Sequence, residues 1–291
     1  MILVLGATGT VGRGVVAGLA AAGRPVRALT RDAARAARSG LPPGVELAEG
    51  DLGRPQTLCA AFDGVDAVFA LSTGPDAARQ DAAVAQEAGR RRVRRLVRLS
   101  SVAADAPAVG SYGSAQADAE LAFARTGAEW TMLRAAGFMS NVLQWRASIA
   151  AEGRAYQTYG GIPRAVVDPA DIAAAAVACL TSDGHGGRVY RLTGPQALTA
   201  PGQLARIAAL LGRPLEYVEA PREAAARAMA EGGLPPEFAA GLLDALADPD
   251  PRRGGTPLPT VHRLTGRPAG TFDAWLLRHR DAFGPRTGRA G

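Results

Sequence analysis

The sequence predicts an α/β fold: a doubly wound parallel sheet with a smaller, mostly helical C-terminal lobe. Three observations carry this expectation. Short apolar runs alternate with helix-period segments from residue 2 to about residue 135. A glycine triplet, Gly6, Gly9 and Gly12, follows the first run and opens the first helical segment. After about residue 195 the alternation gives way to mainly helical patterns.

Residues 2–5, "ILVL", read as a short buried strand. Over 11–22, Val11, Val15, Val16 and Leu19 share one helical face, and Gly23 stops the helix. Further strands are expected at 25–30, 45–51, 66–72, 95–101 and 129–135, with helices at 31–38, 54–62, 75–89 and 114–126. Strands alternating with helices imply right-handed parallel crossovers. "RVYRLTG" (188–194) adds a late strand. Beyond it, 198–212 is a helix with Pro201 in its first turn, "PLEYVEA" a short strand, and 221–231 and 235–247 helices. A Pro/Gly loop at 248–260 leads to a last amphipathic helix at 271–283.

A chain of 291 residues accommodates one large domain, or a core domain with a smaller one attached. The net charge is +6, and all 33 basic residues are arginine. The absence of lysine excludes a Schiff base, a Walker-type phosphate lysine or a lysine proton relay. The densest basic run, "GRRRVRRLVRLSS" (89–101), is either a nucleic-acid patch or a solvated turn leading into a strand. No aromatic platform or binding motif accompanies it, so the turn is favoured and no nucleic-acid partner is expected. "MILVLGATG" has no charged lead-in and its apolar run ends after five residues, unlike a signal peptide. No apolar stretch is long enough to span a bilayer. Cys59 and Cys179 form neither a framework nor a metal-ligand spacing, and His185, His262 and His279 are scattered, with the first two in loop contexts. The expectation is a soluble cytoplasmic monomer or homodimer, with no metal and no membrane partner.

The triplet Gly6-x-x-Gly9-x-x-Gly12 has a strand before it and a helix after it. The first glycine permits a sharp turn. The second lets backbone approach a pyrophosphate, and the third lets the helix pack close to the sheet. The helix N-terminus then offers free N–H groups and a positive dipole end to the anion. The same glycines also suit a purely structural βα turn; the flanking elements favour dinucleotide binding. At the end of the second strand, a protein selecting NAD usually places an acid for the ribose hydroxyls. Here Thr30 is followed by Arg31, Asp32 and, one turn on, Arg35. The Arg31 guanidinium suits a 2′-phosphate, which points to NADP(H); the alternative is a helix-flanking surface arginine. Asp32 sits late for the ribose and suits the cap of the next helix.

"GATGTVG", "VRALTRD", "GDL" (50–52), "ALSTG" (70–74), "RLSSV" (98–102) and "EWTMLRAAGFMSN" (129–141) occur in the order and spacing of a known family. With the later "DPADIAAAAVACL" and "YRLTGPQALT", the chain resembles the NmrA-like atypical short-chain dehydrogenases/reductases over nearly its whole length. The change of rhythm along the chain predicts a Rossmann core of 1–137, to which 164–194 return, a substrate lobe of 138–163 and 195–284, and a tail of 285–291. The resemblance implies a cofactor site at Gly6, Thr8, Gly9, Thr10, Val11 and Gly12. It implies that Asp51 and Leu52 flank the adenine, that Leu71 and Ser72 line the cofactor, and that Gly137 and Phe138 approach the nicotinamide end. Asp51 also reads as a strand-end turn residue. Asp168 and Asp171 read as a helix start around Pro169.

Related dehydrogenases pair a serine with Tyr-x-x-x-Lys, whose ammonium lowers the tyrosine pKa. This chain has Ser100 and Ser101 at a strand end, Ser100 expected to contact the cofactor, then Tyr112 with Gln116 four residues on. Gln carries no charge, so that relay is absent or altered. Tyr112 with Ser101 remains the candidate proton donor; the alternative is a loop tyrosine ahead of the helix at 114–126. Phe138, Met139 and Trp145 either wall a substrate pocket or fill core. Three functions remain: an NADPH-dependent reductase of a small apolar quinone, enone or carbonyl compound, a dinucleotide-sensing regulator, and a non-redox isomerase or cyclase.

Overall fold

Adjacent residues of the first strand belong to opposite faces of one sheet. Ile2 and Val4 enter one apolar cluster, with Val15, Leu19, Ile172 and Ala176; Leu3 and Leu5 enter another, with Phe62, Val84 and Phe123. Burial on both faces explains why "ILVL" is apolar throughout instead of alternating. A computed structural model describes residues 1–107 and 110–283. The sheet contains β1 (Ile2–Val4), β2 (Val26–Thr30), β3 (Glu46–Glu49), β4 (Ala67–Ala70), β5 (Arg95–Ser101), β6 (Glu129–Ala135) and β8 (Arg188–Leu192). It runs in the order β3-β2-β1-β4-β5-β6-β8, and every pairing is parallel. The strand order reverses between β1 and β4, which opens a crevice at the carboxyl ends of those strands.

α1 (Thr10–Ala21) and α6 (Pro169–Thr181) cover one face; α3 (Ala77–Arg90) and α4 (Gly110–Ala124) cover the other. α2 (Ala33–Ala37) follows β2, and Asp32 caps it by accepting from the Arg35 N–H at 2.8 Å. Asp168 caps α6 through the Ala170 N–H at 2.9 Å. The remaining elements are α5 (Arg146–Glu152), β7 (Arg154–Gln157), α7 (Ala200–Leu211), β9 (Glu216–Glu219), α8 (Arg222–Glu231), α9 (Pro236–Ala247), α10 (Thr260–Thr265) and α11 (Phe272–Arg278). A third cluster, with Trp145, Ile149, Leu204, Ile207, Phe272 and Trp275, packs this region, and β7 pairs in parallel with β9.

Five expectations need correction. The helix expected at 54–62 is two single turns, Pro55–Thr57 and Ala60–Phe62. Thr57 Oγ1 donates to the Arg54 carbonyl at 2.7 Å and accepts from the Asp51 N–H at 2.9 Å, tying the segment to the strand-end turn. α4 starts at Gly110, so Tyr112 stands on the helix and not in a loop before it. His262 lies in α10 and not in a loop. The arginine run is only partly a solvated turn: Arg95 and Arg98 are 4% and 2% exposed within β5. Arg95 pairs with Glu129 and Asp183, and Arg98 with Asp81, so each buried guanidinium has a carboxylate. The last helix ends at Arg278, with a short turn at Arg280–Ala282. The expected tail, 285–291, lies outside the described residues. Among the described residues, no helix is long and apolar enough to cross a membrane.

Candidate active site

Gly6 adopts φ +63°, which an L side chain rarely tolerates, and the Gly9 N–H donates to its carbonyl at 2.9 Å. This tight turn aims the start of α1 at the crevice beyond β1 and β4. Gly9 is the N-cap and contributes no side-chain cap, so the first N–H groups of α1, from Thr10, Val11 and Gly12, have no intrahelical acceptors. The crevice holds a cavity of about 470 Å³ bordered by Gly6, Thr8, Arg31, Asp51, Leu71 and Ser72. Leu52 and Arg35 also border it. Gly9, Thr10, Val11 and Gly12 do not line it. Val11 is buried in the core, and a Cβ at Gly12 would lie 2.0 Å from the Gly6 oxygen. A Cβ at Gly9 would meet only that same oxygen, at 3.2 Å.

Arg31 is exposed at this cavity and makes no ion pair among the described residues. The Asp51 carboxylate accepts from the Gly53 N–H at 2.9 Å and from Arg54 Nε at 3.3 Å. The Gly53 bond, the largest influence, holds it below the usual carboxylate range; burial, the next largest, opposes it, and Arg54 and then Arg31 add smaller lowering effects. Much of its acceptor capacity is therefore spent on the local turn. Ser72 Oγ is buried without a partner. Free helix-start amides, an orphan hydroxyl and unpaired arginine charge fit a phosphorylated dinucleotide.

A second cavity, of about 320 Å³, lies at the ends of β5 and β6 and is bordered by Ser100, Ser101, Tyr112, Gly137 and Phe138. Sequence candidates separated by up to 38 positions thus meet at one place. Ser100 spends its hydroxyl proton on Glu120, which also accepts from Arg134 Nε at 2.9 Å. Ser101 Oγ accepts from the Ala103 N–H at 3.2 Å. The Tyr112 ring meets Phe238 edge-on at 5.9 Å. Burial pushes the Tyr112 phenol above the usual tyrosine range, partly opposed by the neighbouring Ser101 hydroxyl and by the Arg98 charge. Tyr112 is therefore a neutral O–H donor near pH 7.

The apolar segment after β6 divides its work. Phe138 is half-buried at the cavity, whereas Met139 and Trp145 are core. Leu242, Ala245 and Leu246 of α9, with Arg164, Arg253 and Gly254, form the far wall. Sequence reasoning missed these residues: α9 read only as a lobe helix and 248–260 only as a loop. Arg164 Nη2 donates to the carbonyls of Leu246 at 2.7 Å and Asp248 at 3.0 Å, closing the end of α9. Outside both cavities, His185 contacts the Tyr190 hydroxyl at 2.9 Å and Ser182 at 3.2 Å, and His279 stacks on Trp275.

A family model described as NAD(P)H-binding matches residues 6–183. A reductase from Streptomyces griseus, named for (4-alkanoyl-5-oxo-2,5-dihydrofuran-3-yl)methyl phosphate, is 42% identical over 286 residues, covering 98% of this chain and all of that protein. An NAD(P)H azoreductase from Xenophilus azovorans is 39% identical, covering 98% of this chain and 99% of that one. Among solved structures, an NADPH-dependent quinone oxidoreductase from Escherichia coli superposes with a TM-score of 0.79 at 26% identity, over 96% of this chain and all of that one. The glycine turn, the parallel sheet and these full-length matches agree: the chain belongs to the NAD(P)H-binding, NmrA-like atypical short-chain dehydrogenases/reductases.

Proposed function

We propose that this NAD(P)H-dependent oxidoreductase uses NADPH to reduce a small, electron-poor conjugated acceptor, an enone or a quinone. One observation carries the reading: neutral Tyr112 and Ser101 share a cavity with Gly137 and Phe138, at strand ends of the same sheet edge that bears the glycine turn. The amides opening α1 bind the pyrophosphate, Ser72 adds a hydroxyl, and Arg31 takes the 2′-phosphate. Asp51 and Leu52 border the adenine, and Gly137 and Phe138 the nicotinamide end. The bound cofactor supplies a hydride.

The chain's own part is positioning and proton supply. Tyr112 Oη and Ser101 Oγ hold the acceptor's oxygen, and Phe138 with the α9 wall keeps water from it. A phenol made less acidic by burial is a weak donor. An enolate or hydroquinone anion needs little help from such a donor, whereas the alkoxide of a simple ketone needs much more. The named acceptors of the relatives, an acylated furanone, an azo compound and a quinone, are all conjugated, which supports this class. Mixing the protein and NADPH with enones, quinones and simple ketones tests it. NADPH oxidation by the conjugated acceptors is expected. No oxidation by any acceptor, alongside tight NADPH binding, shifts the reading to a dinucleotide sensor or a non-redox enzyme.

A further inference from the structure

Gln116 stands one helical turn beyond Tyr112 on the same face of α4, where related dehydrogenases carry lysine. Its Oε1 accepts from Arg98 Nη2 at 3.0 Å. On β5, Leu96, Arg98 and Ser100 share the face covered by α3 and α4. Arg98 Nε and Nη2 both donate to Asp81 Oδ2, at 3.1 and 2.7 Å, and the guanidinium carbon lies 6.0 Å from the Phe123 ring centre. Yet Arg98 Nη1 and Asp81 Oδ1 are buried without any partner. An ion pair selected for stability alone would satisfy both atoms, because an orphaned charged donor is expensive inside a protein. A cavity of about 330 Å³ is bordered by Arg98, Tyr112 and Gln116, with Gly74 and Pro75 after β4 on its rim.

We propose that Arg98 is the positioning residue that replaces the missing lysine: Gln116 fixes its guanidinium near Tyr112, where the cation stabilises the tyrosinate left after proton donation. The inference rests on Tyr112 as proton donor. In that step the acceptor carbon would gain a hydride from the bound cofactor, whose own C–H bond breaks as it is oxidised; the acceptor's π electrons shift onto its oxygen, the Tyr112 O–H bond breaks, its proton bonds to that oxygen, and a solvent proton restores the phenol. The charged groups on the two cavities that Tyr112 borders are Arg98, with Asp81 paired to it, Glu237 from α9, and Arg164, Asp248 and Arg253 across the substrate cavity; behind Ser100 lies the Glu120–Arg134 pair. Of these, Arg98 is the one cation that borders the same cavity as Tyr112 and Gln116.

The test places 3,5-difluorotyrosine at position 112, which brings the phenol's titration near neutral pH, and follows it by fluorine NMR. Arg98→Met paired with Asp81→Leu removes the cation without stranding a buried anion. The expected result is a midpoint about one pH unit higher, a tenfold weaker acid, with Arg98→Lys restoring most of the difference. Asp81→Asn, made separately in case the pair does not fold, is expected to lower the midpoint by leaving the cation uncompensated. An unchanged midpoint in the folded double variant, or in Asp81→Asn, overturns the proposal. So does a lysine variant no better than the double variant. The titration needs no turnover, so inactivity toward every acceptor would refute the reductase reading and leave this result standing or falling by itself.

Discussion

The α-carbon of Gly12 packs so closely on Gly6 that a Cβ there would lie 2.0 Å from the Gly6 carbonyl oxygen. At Gly9 the corresponding distance is 3.2 Å, and no other atom stands in the way. The two glycines therefore answer to different constraints. Gly12→Ala is expected to destabilise the fold by about 1–3 kcal/mol, as overpacking does. Gly9→Val is expected to keep the native circular dichroism and lose NADPH binding, because its side chain enters the space the pyrophosphate needs. Calorimetry on the folded Gly9→Val variant checks this; near-normal NADPH affinity would refute the phosphate-turn reading.

On the proposed reading, Arg31 sets the cofactor preference. The wild type is expected to bind NADPH more tightly than NADH. Arg31→Ala is expected to weaken NADPH by about tenfold or more, the worth of a charge-assisted contact, while leaving NADH nearly unchanged. Dissociation constants for both cofactors decide it, and equal affinities in the wild type would contradict the assignment.

The two thiols differ sharply. Cys59 is exposed, whereas Cys179 lies on the buried face of α6, where burial pushes its pKa up to about 12. Since the thiolate is the reactive form, the native protein is expected to titrate one thiol with a disulfide reagent at pH 8, and two once unfolded. Two fast thiols in the native state would show that the α6 face opens readily.

The glycine turn was legible because backbone geometry there admits few alternatives to glycine, and local spacing records that demand. The strand–helix alternation was legible because each period is local. Arg98 was not: a charged residue in a run of arginines reads as solvated, and its partner Asp81 lies 17 positions earlier on a helix whose polar residues also read as exposed. The β7–β9 pairing was missed at β7, a four-residue strand opening on arginine, with its partner residues 62 positions away. Tyr112 and Ser101 were named from sequence, but the wall opposite them comes from α9, which only tertiary packing brings there.

In the proposed reaction Tyr112 donates a proton in a site whose main catalytic contribution is positioning. Stopped-flow oxidation of NADPH, wild type beside Tyr112→Phe, tests it most directly with a quinone, an enone and a simple ketone. The expected loss is less than about tenfold on the quinone and enone and larger on the ketone, against the ~10²–10⁴-fold typical when a strong general acid is removed. A loss above roughly a thousandfold on all three classes would contradict the account and mark Tyr112 as a fully activated acid.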